Sequence, residues 1–402
     1  MIGSEIVLSK KILFVTDEMT LGGVSRVLNN LLEQLINQTD YQIDLLVLHK
    51  HGEMLKDIPN EINVIEGTKF FRVIDQPLSQ IIREKNIARL LNKLYLISLM
   101  KTGLIGNKIK RERKKMNLLH YDVEIAFKEG FCTIFVANGS SLKKVNWVHL
   151  DYKKQNFSSN HMPLMEKTLN LIDVNVAVSQ VAAQSYQEVF NLKQNVLVIH
   201  NIIQSELIRS KYEQKVKEED LNLFNPQYLT FLSVGRLVSQ KGYDRLIKIH
   251  HRLIKEGFNH NIMIIGNGEE EQLLRDQIKE LGCQDTCKLI GYRENPFAYF
   301  KLADCFLLPS RYEGLPTVVF ESLICETPVI ATKVAGIEEQ LNQADFGLVV
   351  DNEEESFYEA MKLMISNPDQ LKKMKAALKQ YHYQNEKIIS QIKDLVEGNY
   401  AR

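Results

Sequence analysis

The sequence predicts an α/β protein made of two doubly wound, Rossmann-like domains. The chain has 402 residues, which exceeds one ordinary core and suits two domains of about 200 residues each. Short apolar runs alternate with longer amphipathic stretches, a pattern typical of parallel strands that are buried on both faces and joined by crossover helices. A polar, charged stretch at 205–226 interrupts this alternation, which then restarts.

The elements follow in order along the chain. In the first half, the pattern predicts a helix over 25–37 and strands at KILFVT, IDLLVL, DVEIAF, VNWVHL, VNVAVS and NVLVIH. In the second half, it predicts strands at YLTFLSV, NIMIIG, CKLIGY, CFLLPS and PVIAT. A last helix is predicted over 385–397. We expect an N-terminal domain at 1–205, a C-terminal domain at 206–382, and a site at the carboxyl ends of the strands, in the cleft between the two sheets.

Composition narrows the class of protein. The formal net charge is zero, which gives no argument for nucleic-acid binding. The five cysteines are odd in number and mostly lie in apolar or helical context, so we expect a reducing, cytoplasmic compartment rather than a disulfide framework. No segment approaches the roughly 20 apolar residues that span a bilayer. We therefore expect any membrane contact to be made from the surface.

The first predicted strand ends in a loop that contains Gly22 and Gly23 and is followed at once by a helix. Glycines there let backbone amides approach a ligand, and a helix N-terminus favours a phosphate. Many strand-to-helix turns carry glycine for steric reasons alone, so this signal by itself is weak.

The second domain opens with a strand that runs into Gly235 and Arg236, with Lys241 shortly after. Two cations just past the carboxyl end of a first strand would converge on an anion such as a diphosphate. Gly268 follows the next strand and adds backbone access. The alternative is an exposed loop with ordinary surface charges.

The stretch PSRYEGLPTVVFESL places Glu313 and Glu321 eight positions apart. Pro316 suits the first position of a helix, which leaves the free amides of the first turn pointing toward the site. A carboxylate can accept hydrogen bonds from two vicinal hydroxyls, so the two glutamates would hold two different diols. The alternative is that both are solvated side chains.

Together these motifs resemble those of the retaining GT-B glycosyltransferases of the large family four type, which includes bacterial capsule, teichoic acid and lipopolysaccharide transferases. The similarity extends over essentially the whole chain. It implies a GT-B fold, in which two Rossmann-like domains face each other across a cleft and the C-terminal helix at 383–402 crosses back onto the first domain.

The resemblance also implies a role for each matched residue. Arg236 and Lys241 would bind the donor diphosphate and stabilise it as it departs, Glu313 would hold hydroxyls of the transferred sugar, and Glu321 would bind the ribose. The donor-binding residues it implies are Gly22, Gly23, Gly235, Gly268, Tyr292, Arg293, Gly314, Leu315, Thr317 and Glu321, with the backbone around Tyr292 and Arg293 taking the base.

His149, in WVHLD, follows an apolar strand and matches a histidine that this family places beside the donor sugar. A lone histidine at a strand end is otherwise a hydrogen-bonded structural residue. Asp151, two residues on, is a weaker candidate for acceptor contact. No Asp-x-Asp pair occurs in the chain, so we expect no metal and no cofactor besides the nucleotide-sugar donor, with UDP-sugar as the first expectation.

A basic stretch at 81–115 carries eleven Lys and Arg residues against two glutamates. Interleaved Ile87, Leu90, Leu91, Leu94 and Ile97 predict a helix with an apolar face. This stretch suits an anionic membrane surface, and it equally suits a solvated helix whose apolar face packs on the first domain.

The resulting prediction is a cytoplasmic, retaining, metal-independent glycosyltransferase that moves a hexose from a nucleotide-diphosphate sugar to a glycan or lipid-linked acceptor in cell-surface polysaccharide or teichoic acid synthesis. We expect it to work in the cytoplasm or at the inner face of the plasma membrane. The alternatives are a catalytically silent GT-B partner of another transferase and a nucleotide-sugar epimerase on the same fold.

Overall fold

The computed structural model describes residues 9–74, 76–118, 120–154, 161–223, 226–341 and 345–400. The chain divides into two compact units, hereafter unit 1 and unit 2. Unit 1 comprises 1–202 with 385–402, and unit 2 comprises 203–384. The first division therefore falls between Ile202 and Ile203, where the sequence predicts a boundary after residue 205.

Unit 1 is built on a seven-stranded parallel sheet with the strand order β3-β2-β1-β4-β5-β6-β7. Its strands are β1 Lys11–Thr16, β2 Gln42–Val47, β3 Asn63–Glu66, β4 Val123–Ala126, β5 Lys143–Val148, β6 Val174–Ala177 and β7 Leu197–Val198. The helices that connect them are α1 Gly23–Gln38, α2 Leu78–Arg83, α3 Ile87–Thr102, α4 Ile105–Lys115, α5 Phe131–Ala137, α6 His161–Leu169 and α7 Gln180–Val189.

Unit 2 is built on a six-stranded parallel sheet with the order β10-β9-β8-β11-β12-β13. Its strands are β8 Thr230–Val234, β9 Asn261–Ile265, β10 Cys287–Gly291, β11 Cys305–Leu308, β12 Val329–Thr332 and β13 Gly347–Val350. Its helices are α8 Ser205–Glu213, α9 Glu218–Leu221, α10 Tyr243–Lys255, α11 Glu271–Glu280, α12 Thr317–Ile324, α13 Ile337–Gln340, α14 Glu354–Ser366 and α15 Pro368–Leu378.

The last helix, α16 Asn385–Glu397, belongs to unit 1. Its buried stripe includes Ile388, Ile389 and Ile392. Lys143, at the start of β5, donates hydrogen bonds to the carbonyls of Leu395 and Val396 at 2.7 and 3.1 Å, which satisfies acceptors that a helix C-terminus leaves unpaired. The chain thus completes unit 1 only after it has built unit 2.

The sequence prediction of an α/β protein with two Rossmann-like sheets is confirmed. Central strands such as β1 and β11 are buried along nearly their whole length, which is why their sequences read as continuous apolar runs. The sequence prediction missed β3 and β13. Each has four residues and lies at a sheet edge, so its apolar signal is weak.

The basic stretch forms three helices rather than one, because Gly103 ends α3 in a left-handed conformation and Asn86 caps its start. Of the residues that predict its apolar face, Ile87, Leu91 and Leu94 are exposed, whereas Leu90 packs against the core of unit 1, in which Leu96 and Leu99 are buried. Within the part of the chain that the structure describes, no helix is both long and apolar enough to cross a membrane.

Candidate active site

Each sheet reverses its strand order at one point. In unit 2 the chain adds β9 and β10 on one side of β8, then returns to place β11 on the other side. In unit 1 the same reversal falls between β1 and β4. In open parallel sheets, ligands bind outside the carboxyl ends of the strands at this switch point. Functional residues are therefore expected in the loops that follow β8 and β11 in unit 2, and in those that follow β1 and β4 in unit 1.

An ion pair bridges the switch point of unit 2. Lys241 Nζ lies 2.7 Å from Glu313 Oε1, and Ser310 Oγ donates to the same oxygen at 2.7 Å. Gln240 Nε2 reaches Glu313 Oε2 at 3.4 Å and the carbonyl of Tyr312 at 2.9 Å. Two residues 72 positions apart in sequence are thus brought together, with both side chains largely buried.

The backbone around this pair is held tightly. Gly242 has φ of +68°, and a Cβ there would lie 2.1 Å from the carbonyl oxygen of Pro309, so only glycine fits. The buried guanidinium of Arg245 donates to the carbonyls of Pro309 and Ser310 at 2.9 Å each. Arg311 is paired with Asp244 at 2.8 Å. The loops after β8 and β11 are therefore mutually braced.

Arg236 is exposed in the loop after β8, and it makes no ion pair or side-chain hydrogen bond with the described residues. The backbone before it is close-packed, since a Cβ at Gly235 would lie 2.9 Å from the hydroxyl of Tyr243. The guanidinium is therefore presented on a fixed backbone with its donors available to a ligand.

The glycines after β9 have a steric explanation. A Cβ at Gly266 would lie 1.8 Å from the carbonyl oxygen of Gly235, and one at Gly268 would lie 2.2 Å from that of Leu237. These loops cross so closely that any side chain would displace the backbone. The donor-binding role of Gly268 stays a prediction, and its packing role is evident.

Glu321 is buried on α12, so the alternative of a solvated helix residue is wrong. The helix begins at Thr317, and Pro316 is its N-cap residue rather than its first helical residue. Leu315 is buried in the preceding loop. Gln340 donates to the carbonyl of Pro316 at 2.9 Å, which fixes the approach to the helix. The amide of Thr317 precedes the hydrogen bonds of the helix, the first of which runs from the Val319 N–H to the carbonyl of Pro316 at 3.1 Å.

Gly314 lies against another tight turn. Gly336 has φ of +78°, and a Cβ there would lie 3.0 Å from the carbonyl oxygen of Gly314 and 2.7 Å from Leu315. The loop after β11 is therefore packed against the turn at Gly336 as well as against Arg245.

Arg293 has a structural partner that the sequence did not indicate. Its Nε and Nη2 donate to the two carboxylate oxygens of Asp220 at 2.9 and 3.0 Å, and the Tyr299 hydroxyl joins the cluster. The side chain is thus committed to a bidentate pair. The adjacent Tyr292 is exposed, so its ring and the backbone of both residues remain candidates for base contact.

His149 lies directly after β5 in unit 1 and is buried. Its Nε2 lies 2.8 Å from the carbonyl oxygen of Phe127, and because a carbonyl only accepts, Nε2 carries the hydrogen. Burial lowers the pKa of His149 to about 4, so the ring is neutral at neutral pH. Nδ1 is left as a hydrogen-bond acceptor.

Glu129 is a candidate that the sequence prediction missed. Its Oε2 accepts from the backbone N–H of His149 at 3.3 Å, while Oε1 is buried and has no hydrogen-bond partner among the described residues. Burial raises the pKa of Glu129 to about 7. The signal was present in the sequence, because a charged pair and a glycine directly follow the strand DVEIAF, the pattern that identified the other loops.

An ion pair also bridges the switch point of unit 1. Lys128 Nζ, after β4, lies 2.6 Å from Asp17 Oδ2, after β1. Gly22 and Gly23 close the loop after β1, and a Cβ at either would meet nothing within 4 Å. Neither has a positive φ that would favour glycine. Packing therefore does not explain these two glycines, and room beside the loop is open to a ligand.

Asp151 is buried, and its Oδ1 accepts from the backbone N–H of Lys153 at 3.1 Å. This contact caps the short turn at Tyr152–Lys154. Its predicted contact with an acceptor stays a prediction. Among the described residues, no three His, Cys, Asp or Glu side chains lie close enough together to hold a metal ion.

Comparison with known proteins agrees with this architecture. Residues 215–383 match the family described as glycosyl transferases group 1. An uncharacterized glycosyltransferase of Methanocaldococcus jannaschii is 31% identical over 142 residues, which is 35% of this chain and 35% of that protein. The Campylobacter jejuni N-acetylgalactosamine-N,N'-diacetylbacillosaminyl-diphospho-undecaprenol 4-alpha-N-acetylgalactosaminyltransferase is 30% identical over 178 residues, 44% of this chain and 46% of that protein.

Among solved structures, the Anabaena protein HepE in complex with UDP aligns with a TM-score of 0.71 at 16% identity, covering 96% of this chain and 100% of that chain. The fold is therefore the GT-B fold. The match to the group 1 glycosyltransferase family covers less than half of this chain. The matched region spans less than half the length of the two curated relatives.

Proposed function

We propose that this chain is a retaining, metal-independent glycosyltransferase that moves a hexose from a nucleotide-diphosphate sugar to a glycan or lipid-linked acceptor. The observation that carries the proposal is the Lys241–Glu313 pair across the switch point of unit 2, with Arg236 exposed in the same loop. The group 1 match at 215–383 contains all three residues. UDP is the nucleotide in the HepE complex, and a UDP-sugar is the donor we propose here.

The chemistry follows from the charges. Transfer breaks the bond between the anomeric carbon and a diphosphate oxygen, so negative charge grows on the leaving group. Arg236 and Lys241 would stabilise that charge, and Lys241 has three N–H donors, enough to keep Glu313 while binding a phosphate. Glu313 would in turn accept hydrogen bonds from sugar hydroxyls. The bracing of these loops keeps the groups in place before reaction, which is what electrostatic catalysis requires.

Glu321 would bind the ribose, and the amides of Leu315 and Thr317 would contact the phosphate. His149 suits a sugar hydroxyl because its neutral ring offers Nδ1 as an acceptor. The Gly22–Gly23 loop would give a ligand access to the backbone, since its glycines have no packing role.

The acceptor is proposed from the relatives. The Campylobacter enzyme's name specifies a diphospho-undecaprenol acceptor, and a lipid-linked glycan of that chemical class suits this chain. We accordingly place the reaction in cell-surface polysaccharide or teichoic acid synthesis, on the cytoplasmic side at the inner face of the plasma membrane. We propose no role for nucleic acid.

The test is nucleotide release from a panel of UDP-, GDP- and ADP-sugars in excess EDTA. The wild type should release one nucleotide slowly, and Arg236→Ala with Lys241→Ala should lower the rate by about a thousandfold, because both cations act on the leaving diphosphate. Lys279→Ala is the matched control, since Lys279 is exposed on α11 of the same unit and has no ion pair among the described residues. The anomeric configuration of the product tests retention.

Other outcomes separate the alternatives. If no sugar nucleotide binds or turns over, the silent-partner alternative replaces this proposal. If the donor is consumed and the sugar is isomerised without transfer, the epimerase alternative does. Activity that disappears in EDTA and returns with a divalent cation would contradict metal independence alone.

A further inference from the structure

Helix α3 exposes a continuous apolar stripe. Ile87, Leu91 and Leu94 are 73%, 62% and 47% exposed, and their spacing of four and three residues places them on one face. Lys101 continues that face one heptad beyond Leu94. Single exposed apolar residues are ordinary, but a row of three on adjacent turns is a patch, and such patches mark interaction sites.

The opposite face of α3 is anchored. Leu96 and Leu99 are buried in the main hydrophobic core of unit 1, together with Ile105 and Ile109 of α4. Asn92 donates to the carbonyl of Phe70 at 3.2 Å. The helix cannot roll to bury its outer stripe without losing these contacts, so the stripe is held outward by the fold.

Helix α4 follows directly and presents cations. Lys110, Arg111 and Lys114 are exposed, share one helical face, and make no ion pair with the described residues. Arg113 and Lys108 are different: Arg113 is buried against Glu124 at 2.6 Å, and Lys108 pairs with Glu112 at 2.9 Å. The cations available to a partner are thus a defined subset of the basic stretch.

Both carboxylates of the region are already neutralised. Glu84 pairs with Arg89 at 2.7 Å, and Glu112 is buried between Lys108 and Lys115. An exposed apolar stripe on α3 is thus followed along the chain by unpaired cations on α4, and neither helix carries an unpaired acid; this composition is typical of segments that lie in the interface of an anionic membrane.

We infer that α3 and α4 form a docking surface for an anionic lipid bilayer, with Ile87, Leu91 and Leu94 entering the interfacial region and the α4 cations meeting the head groups. A second copy of the chain fits less well, because apposing two such surfaces would bring unpaired cations together. The inference rests on the proposed function only for its purpose, which is to bring the enzyme to a lipid-linked acceptor.

The test is flotation of the full chain with vesicles of phosphatidylcholine alone or with about 30% phosphatidylglycerol, without donor or acceptor. The wild type should float with the anionic vesicles only. Lys110→Ser, Arg111→Ser, Lys114→Ser should weaken partitioning by about a hundredfold, since each cation near the surface strengthens it by about fivefold. The triple variant Ile87→Ser, Leu91→Ser, Leu94→Ser should weaken partitioning to a similar degree, because serine removes the apolar groups that enter the interfacial region.

Matched controls lie in unit 2. Lys279, Lys373 and Lys379 are exposed cations outside any ion pair of the described residues, and Leu221, Leu273 and Leu363 are 51%, 61% and 46% exposed. Serine at either control set should leave flotation unchanged.

Three results would overturn the inference: no flotation of the wild type, equal losses in the control variants, or unchanged flotation of the stripe variant. Concentration-dependent dimers that the stripe variant abolishes, with no vesicle binding, would assign the surface to self-association instead. None of these results depends on turnover, so failure here is distinguishable from failure of the proposed function.

Discussion

Among single residues, two carboxyl groups of unit 1, those of Glu124 and Glu129, have opposite relations to their surroundings. Glu124 is paired with Arg113 at 2.6 Å, and their side chains are 0% and 4% exposed. Glu129 has one oxygen bound and one without a described partner. The Glu124 carboxylate is therefore stabilised by the guanidinium of Arg113, whereas burial favours the protonated form of Glu129.

Arg113→Ala should therefore destabilise unit 1 by about 3–5 kcal/mol, because it leaves the Glu124 carboxylate buried and unpaired. Arg111→Ala, two residues away and exposed, should change stability by less than about 0.5 kcal/mol. Urea denaturation measures both. Equal effects would show that Glu124 does not need the guanidinium.

Glu129→Gln should change how stability depends on pH. The folded-state pKa of about 7 lies above the ordinary value of 4.5, so the stabilising proton is fully present below pH 4.5 and is lost as pH rises through 7. Relative to the wild type, the variant should gain about 3 kcal/mol between pH 4.5 and 8. The contribution of His149 to stability has the opposite pH dependence: it is lost as the pH falls from 6.5 through about 4. Because this contribution is present in both proteins, it cancels when the variant is compared with the wild type.

Unfolding free energies at pH 5 and pH 8 test this prediction. Glu61→Gln, a substitution at an exposed carboxyl of the same unit, is the matched control. A pH-independent difference for Glu129→Gln would mean that Glu129 is ionised in the folded protein throughout.

At the scale of elements, the turn between β8 and α10 shapes the candidate site. Gly242→Ala combines a left-handed backbone with a clash against the carbonyl of Pro309, and it should cost about 3–4 kcal/mol and displace Lys241. Gly257→Ala has a similar φ of +88° but meets nothing within 4 Å, and it should cost about 1–2 kcal/mol with donor turnover unchanged. Denaturation and nucleotide release on both variants check the pair, and a Gly242→Ala protein that turns over normally would contradict the bracing described above.

The elements also show what the sequence could predict. Periodicity located the buried strands and the site loops, because burial on both faces and strand-end glycines leave local signals. It could not determine which apolar side of α3 faces the core, since Leu96 with Leu99 and Ile87 with Leu91 both have helical spacing. It could not pair Lys241 with Glu313 or Arg293 with Asp220 either, because those contacts join residues more than 70 positions apart.

At the scale of the whole molecule, the two units have separate hydrophobic cores and one optical probe distinguishes them. The single tryptophan, Trp147, is buried in unit 1. Ile392→Ala on α16 should lower the stability reported by tryptophan fluorescence by about 2–5 kcal/mol. Ile247→Ala in unit 2 should instead shift the circular dichroism transition and leave the fluorescence transition in place. Equal fluorescence shifts in both variants would mean that the units unfold as one.

The placement of α16 has a consequence for how the protein is made. Unit 2 is a continuous segment, whereas unit 1 is interrupted and receives its last helix only from the final residues. Domains generally fold as they leave the ribosome, the N-terminal one first. Here the first domain to emerge must wait with the surface for Ile388, Ile389 and Ile392 uncovered until translation has passed through the second. A chain that terminates before α16 would keep that apolar surface exposed. Chaperones and proteases would therefore recognise such a chain before it could bind and sequester a substrate.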